Sequence, residues 1–240
     1  MKPNPYEKLL ARKRTWTPVQ GDAGKVTEGS EETIFRALAL RHMELPVGDF
    51  INDALASDVP ALARELLQSN VKDEEKHDLA LGYIADTYGV DPKAEKEAKL
   101  LRDAWVSHPD HTILKAKVAE TAIFFVLLPF FRWNGSASMR TVSADISRDE
   151  QIHVAANNIV CKELGLRYSP SLDKLRKATI NWVMEPLSTN TESRYLDKKF
   201  WLDSSDNLMY QGKAPNFSAT KSGRMLAFFE HSNVNLPSYA

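Results

Sequence analysis

The feature that most constrains this 240-residue chain is a chemical repeat. Glu44, Glu74 and His77 recur as Glu120, Glu150 and His153, each pair 76 positions apart. In both copies a lone glutamate stands 30 residues ahead of a Glu-x-x-His motif, Glu74-Glu75-Lys76-His77 and then Glu150-Gln151-Ile152-His153. Residues three apart on a helix share a face, so each motif can present one carboxylate and one imidazole to a single point. A helical hairpin used twice is an internal repeat. Two antiparallel pairs would turn two lone glutamates and two Glu-x-x-His motifs into the core of one four-helix bundle.

The remaining patterning agrees with an all-α fold. Helical periodicity runs from Ser30 to about Leu187, and no strand alternation persists long enough to make a sheet. We expect three parts: an N-terminal arm over 1–29, a helical bundle with extra helices over 30–187, and an irregular C-terminal extension over 188–240. Within the bundle, Pro46 is expected to end or kink the first helix. A second helical stretch, interrupted near Asn70, closes at Gly89, and the polar segment 91–105 reads as an exposed connector. The longest apolar run, Thr121 to Phe131, is about half the roughly 20 residues that span a bilayer. It therefore reads as a core helix, and no membrane association is expected. A net charge of −1 gives no electrostatic reason to bind nucleic acid. The single cysteine, Cys161, allows no intrachain disulfide, which suits a reducing cytoplasm.

Four carboxylates and two imidazoles are the ligand set of di-iron and di-manganese carboxylate proteins of the ferritin-like kind. The donors suit Fe or Mn, and the lack of cysteine ligands argues against structural zinc. Two divalent ions would also cancel the charge of four buried carboxylates. A single Glu-x-x-His more often lies on a solvated helix face. Glu120 opposes that reading, because it opens the most apolar run of the chain. Glu44 has competitors in Glu31 and Glu32, although acids at a helix start commonly complement the helix dipole.

The strings around the motifs bring a family into view. Glu120 to Phe125 (ETAIFF) and Arg148 to His153 (RDEQIH) look like the segments carrying the third and fourth carboxylates in small subunits of class I ribonucleotide reductase. Lys221 to Tyr239 resembles the Phe-Phe-Glu segment and following tyrosine near the C-terminus of those subunits, and Thr15 to Pro18 (TWTP) resembles their N-terminal Trp-x-Pro. The resemblance implies metal ligands Glu44, Glu74, His77, Glu120, Glu150 and His153, with Phe124 and Phe125 packed beside them. It also implies that Asp149 bonds His77 or its neighbourhood in a radical-transfer chain, that Trp16 is the transfer tryptophan, and that Tyr239 relays oxidation to a large catalytic subunit docked on the C-terminal tail. Read without the resemblance, Asp149 could pair with Arg148 at the surface, Trp16 could anchor the arm, Tyr239 could be a disordered terminal residue, and the two phenylalanines could be ordinary core.

One position departs from the family. Where the tyrosyl-radical members carry a tyrosine, four residues after the first motif's histidine, this chain has Leu81. At 100° per residue Leu81 falls on the metal-facing side, whereas Tyr83 points away and Tyr88 lies roughly 20 Å along the helix from Glu74. A radical-initiating subunit of this kind would keep its oxidant on the metals, which favours a manganese/iron or dimanganese pair. Three functions remain open: the homodimeric small subunit of a reductase, a dimetal oxidase or oxygenase using Leu81 to line an apolar substrate pocket, and a ferritin-like metal store forming a large hollow oligomer.

Overall fold

The computed structural model of the chain describes residues 4–57, 59–189 and 191–210, which are helical with no strand among them. The helices are α1 (Pro5–Leu10), α2 (Glu31–Ala39), α3 (Glu44–Leu55), α4 (Arg64–Tyr88), α5 (Pro92–Ser107), α6 (Thr112–Ala119), α7 (Phe125–Asn134), α8 (Ala137–Glu163), α9 (Pro170–Met184) and α10 (Lys198–Tyr210). A π-helical turn, Glu120–Phe124, joins α6 to α7, so these form one interrupted rod. Four rods make the central bundle: α3, α4, α6–π–α7 and α8. Against it pack α2, α5 and α9 on one flank, α10 over the π turn, and α1 across α4 and α8.

Local signals set the helix ends. Gly89 stops α4 with φ +97°, a left-handed conformation that costs glycine little. Ser136 caps α8 through Met139 N, and Asp91 and Ser169 cap α5 and α9, each followed by a proline in the first turn. Gly48 lies where α3 meets α4. A Cβ there would sit 3.4 Å from Glu74 Cβ, at the near edge of ordinary contact, so α3 and α4 lie close where Glu74 leaves the backbone.

Several boundaries differ from the sequence reading. α4 runs unbroken through Asn70, whose side chain is turned inward and fully buried instead of interrupting the helix. The break near Pro46 falls earlier, in a 3-10 turn at Leu40–Met43. Pro46 then sits in the first turn of α3, where its missing N–H has no helical partner to lose. The arm, expected to be extended, opens instead on a helix, because Asn4 and Glu7 form a capping box that starts α1 at Pro5. The segment expected to be an exposed connector, α5, buries Ala94, Ala98 and Trp105, and the Trp105 indole donates to Thr179 Oγ1 at 3.0 Å. Over residues 191–210 the chain is mostly helical where its composition suggested irregular structure. α10 buries Trp201 edge-on against Phe130, with centroids 5.2 Å apart.

Candidate metal centre

α4 and α8 run antiparallel at the centre of the bundle, and each turns an acid–acid–imidazole face inward. On α4 that face is Asp73, Glu74 and His77; on α8 it is Asp149, Glu150 and His153. α3 adds Glu44 in its first turn, and the π turn adds Glu120. The six residues Glu44, Glu74, His77, Glu120, Glu150 and His153 are all buried and fall into two overlapping groups. One comprises Glu44, Glu74, His77 and Glu150; the other comprises Glu74, Glu120 and His153; within each, the potential ligand atoms lie within 4.8 Å of one another.

Distances separate terminal from shared carboxylates. His77 Nδ1 stands 3.7 Å from Glu44, 3.6 Å from Glu74 and 3.4 Å from Glu150. His153 Nδ1 stands 2.9 Å from Glu74, 3.7 Å from Glu150 and 3.9 Å from Glu120. Glu74 and Glu150 thus reach both imidazoles, while Glu44 serves one half and Glu120 the other.

The donor set fits metal ions. Glu44 Oε2, both oxygens of Glu74 and of Glu150, Glu120 Oε1 and the Nδ1 atoms of His77 and His153 are buried without a well-aligned hydrogen bond. Leaving so many polar atoms unsatisfied in a core costs far more than a fold can absorb, and metal coordination is the usual resolution. The imidazoles are preset for it. His77 Nε2 faces Asp149 Oδ2 at 3.3 Å and His153 Nε2 faces Asp73 Oδ2 at 3.1 Å, so each outer N–H is held by a carboxylate and each Nδ1 lone pair points inward.

Without cations the groups must share protons instead. Burial and neighbouring carboxylates push Glu44, Glu120 and Glu150 above the usual carboxylate range. Burial pushes Glu74 up as well, but the facing histidines outweigh it and bring the group to about 2. Burial opposes charge on His153, yet Glu150 and Glu74 carry it up to about 10, and His77 is raised by Asp149 and the inner glutamates against the same opposition.

Outside the imidazoles the two halves diverge. Trp16 Nε1 donates to Asp149 Oδ2 at 2.7 Å, giving a hydrogen-bonded chain Trp16–Asp149–His77. Asp149 is therefore buried within the cluster, not paired with Arg148, which meets Asp145. On the other side Asp73 pairs with Lys13, not with an aromatic. Lys76 lies between the two, 2.8 Å from Asp73 Oδ1 and 3.2 Å from Asp149 Oδ2. The sequence reading did not single out Asp73, Lys76 or Lys13. Asp73 was within its reach, because Asp73 and Asp149 obey the same 76-residue offset as the inner groups.

Glu120 has two further supports. Asn157 Nδ2 donates to Glu120 Oε2 at 2.6 Å, and Asn157 is the repeat counterpart of Leu81. Ser205 Oγ of α10 donates to Ala122 O inside the π turn at 2.6 Å, with Arg176 Nη1 donating in turn to Ser205 Oγ at 2.7 Å. A π turn frees backbone groups from the regular ladder and recurs at functional sites. Leu81, Phe124 and Phe125 are buried in the core. Tyr239 and the Phe-Phe-Glu segment lie outside the described residues.

A helical bundle that directs paired Glu-x-x-His faces and two further glutamates to one buried point has the architecture of a ferritin-like helical protein. No protein-family model matches the chain, and no curated protein matches it. Among solved structures, a Bacillus halodurans chain provisionally described as a class I ribonucleotide reductase superposes with a TM-score of 0.59. The match covers 95% of this chain and 97% of that one at 15% sequence identity, a likeness that establishes the fold.

Proposed function

We propose that this protein is the small subunit of a class I ribonucleotide reductase, a radical-initiating oxidoreductase subunit that serves a separate catalytic subunit. The single observation that carries the reading is the chain Trp16–Asp149–His77, which leads from the buried cluster to the N-terminal arm. A metal store needs no aromatic side chain hydrogen-bonded to the back of an imidazole. A relay that moves an electron outward does. The fold likeness and the sequence resemblance at Glu120 to Phe125 and Arg148 to His153 support the same family.

In this reading Glu44, Glu74, His77, Glu120, Glu150 and His153 would hold two ions, iron or manganese. When bound, such ions supply a stored one-electron oxidant. The protein's own groups hold and insulate it. Phe124, Phe125 and Leu81 keep the surroundings apolar, Asp149 fixes the His77 ring, and Trp16 offers the exit. Leu81 takes the place of the family's tyrosine, so a manganese/iron or dimanganese pair is favoured over a tyrosyl radical. The tail containing Tyr239 would dock the large subunit, with the small subunit acting as a homodimer.

The test is ribonucleotide reduction with the cognate large subunit and metal-loaded protein, comparing the native chain with Trp16→Phe. We expect turnover in the native pair and its loss in the variant at unchanged metal content. No turnover with any cognate large subunit would sink the reading. Leu81 favours one alternative, a dimetal oxidase or oxygenase acting on a small apolar substrate. Organic extraction of the purified protein would return a bound fatty acid or similar molecule in that case.

A further inference from the structure

Among the described residues, Lys76 is the one cation that touches both outer carboxylates and Trp16, and the proposed electron route gives it no purpose. Its ammonium lies 4.8 Å from the centre of the Trp16 ring, besides its contacts to Asp73 and Asp149. The side chain is 19% exposed, so its charge is only partly screened. Lys13 also enters this array from the arm, but its partner there is Asp73.

The electrostatics at Trp16 are a balance. The Asp149 carboxylate, hydrogen-bonded to the indole N–H, favours positive charge on the ring. Lys76 over the ring face opposes it. A lysine beside a neutral aromatic is attracted to the ring quadrupole. Once the ring itself carries a positive charge, the same lysine repels it. From this geometry we infer that Lys76 is a positioning residue that holds Trp16 in its bond to Asp149 while raising the barrier to indole oxidation. The stored oxidant then does not leak onto Trp16 before a partner is engaged. The inference rests on the proposed electron route, and it explains how a site with Leu81 in place of a tyrosine can retain an oxidant beside an oxidisable tryptophan.

The step concerned is a one-electron oxidation. The indole loses one electron to the oxidant, which is reduced by one, and the Nε1 proton remains in the hydrogen bond to Asp149, leaving an indole radical cation. Flash photolysis with an external ruthenium(III) photo-oxidant drives this step without the large subunit. The full-length protein is loaded with zinc, which is redox-silent, and the transient indole-radical absorbance lost in Trp16→Phe defines the Trp16 signal among the five tryptophans.

Lys76→Met keeps the length of the stem and removes the charge. We expect the Trp16 radical signal to rise by roughly tenfold, since a unit charge this near a partly buried ring is worth at least one decade. Lys76→Arg should stay within about twofold of the native protein, because it restores the charge. Lys13→Met, which breaks the neighbouring pair without approaching the ring, should also stay within about twofold. Zinc stoichiometry and a thermal melt on each variant separate misfolding from the electronic effect. A Lys76→Met signal equal to native overturns the inference, as does a rise of equal size in Lys76→Arg or Lys13→Met. Failure here leaves the reductase assay untouched, and failure of that assay leaves this optical measurement standing.

Discussion

The two copies of the ligand unit carry the same inner chemistry and different outer chemistry. In the half built on Glu44 and His77, the imidazole is backed by Asp149 and then Trp16, a side chain that can give up an electron. In the half built on Glu120 and His153, it is backed by Asp73 and then Lys13, which cannot. The lone glutamates differ as well. Glu44 leaves the first turn of an ordinary helix, while Glu120 leaves a π turn braced by Asn157 and by Ser205 of α10. On the proposed reading, the duplicated set of candidate ligands would fix where ions are held, and the asymmetric outer layer would give the site a direction.

The sharpest way to break this picture is to remove a shared ligand. Glu74 belongs to both groups, so Glu74→Ala should abolish both ions, taking elemental analysis from about two per chain to near none. Glu44→Ala and Glu120→Ala should each spare about one. Equal loss in all three variants would mean that the halves are not separable.

The next largest effect is on pH dependence. In the metal-free protein Glu44, Glu120 and Glu150 hold protons above their usual value of 4.5, and His77 and His153 above 6.5, with His153 at about 10. The folded state therefore binds more protons than the unfolded state from about pH 5 upward, and stability must fall as pH rises. The depressed groups, Glu74, Asp73 and Asp149, act with the opposite sign only below their ordinary carboxylate range. Thermal melts of metal-free protein between about pH 5 and pH 9 should show a falling midpoint. Metal loading, which displaces these protons, should tighten over the same range. Glu44→Gln and Glu120→Gln remove one proton-holding group from each half, and we expect each to flatten the slope. A slope that flattens in only one variant would place the proton load in one half.

Asn157 and Leu81 offer a finer comparison, because they occupy equivalent places in the repeat. Asn157→Leu removes the donor to Glu120 Oε2 and should weaken metal binding in that half roughly tenfold in a competitive titration. Leu81→Asn should change the other half by no more than about threefold, since no bond is lost. Comparable effects would show that Asn157 fills space instead of orienting Glu120.

The smallest effects concern the arm. Lys13→Met and Trp16→Phe each remove one partly buried polar contact with an outer aspartate, and each should cost about 1 kcal/mol in chemical denaturation. Equal stability losses combined with unequal activity would separate anchoring from electron transfer. A much larger loss in Trp16→Phe would make its role mainly structural.

Much of this was legible in the chain because it is local. The Glu-x-x-His spacing commits each acid and imidazole to one helix face, and the constant offset of 76 marks two equivalent faces before any packing is known. The same offset pointed to Asp73, although acids beside a ligand motif read as surface charge until a partner is seen. The capping box of α1 was also present in the sequence, hidden by the polar composition around it. What the chain could not reveal depends on approach across long separations. Trp16 meets Asp149 over 133 positions, Asn157 meets Glu120 over 37, and Ser205 reaches the π turn over 83. The π turn itself is a one-residue slip in hydrogen bonding with no composition of its own. By itself the sequence determined which side chains share a helix face, since that follows from 3.6 residues per turn. Only the tertiary structure decided which side chain stands behind each outer aspartate, Trp16 or Lys13, because that choice is made by how α1 and the arm cross α4 and α8.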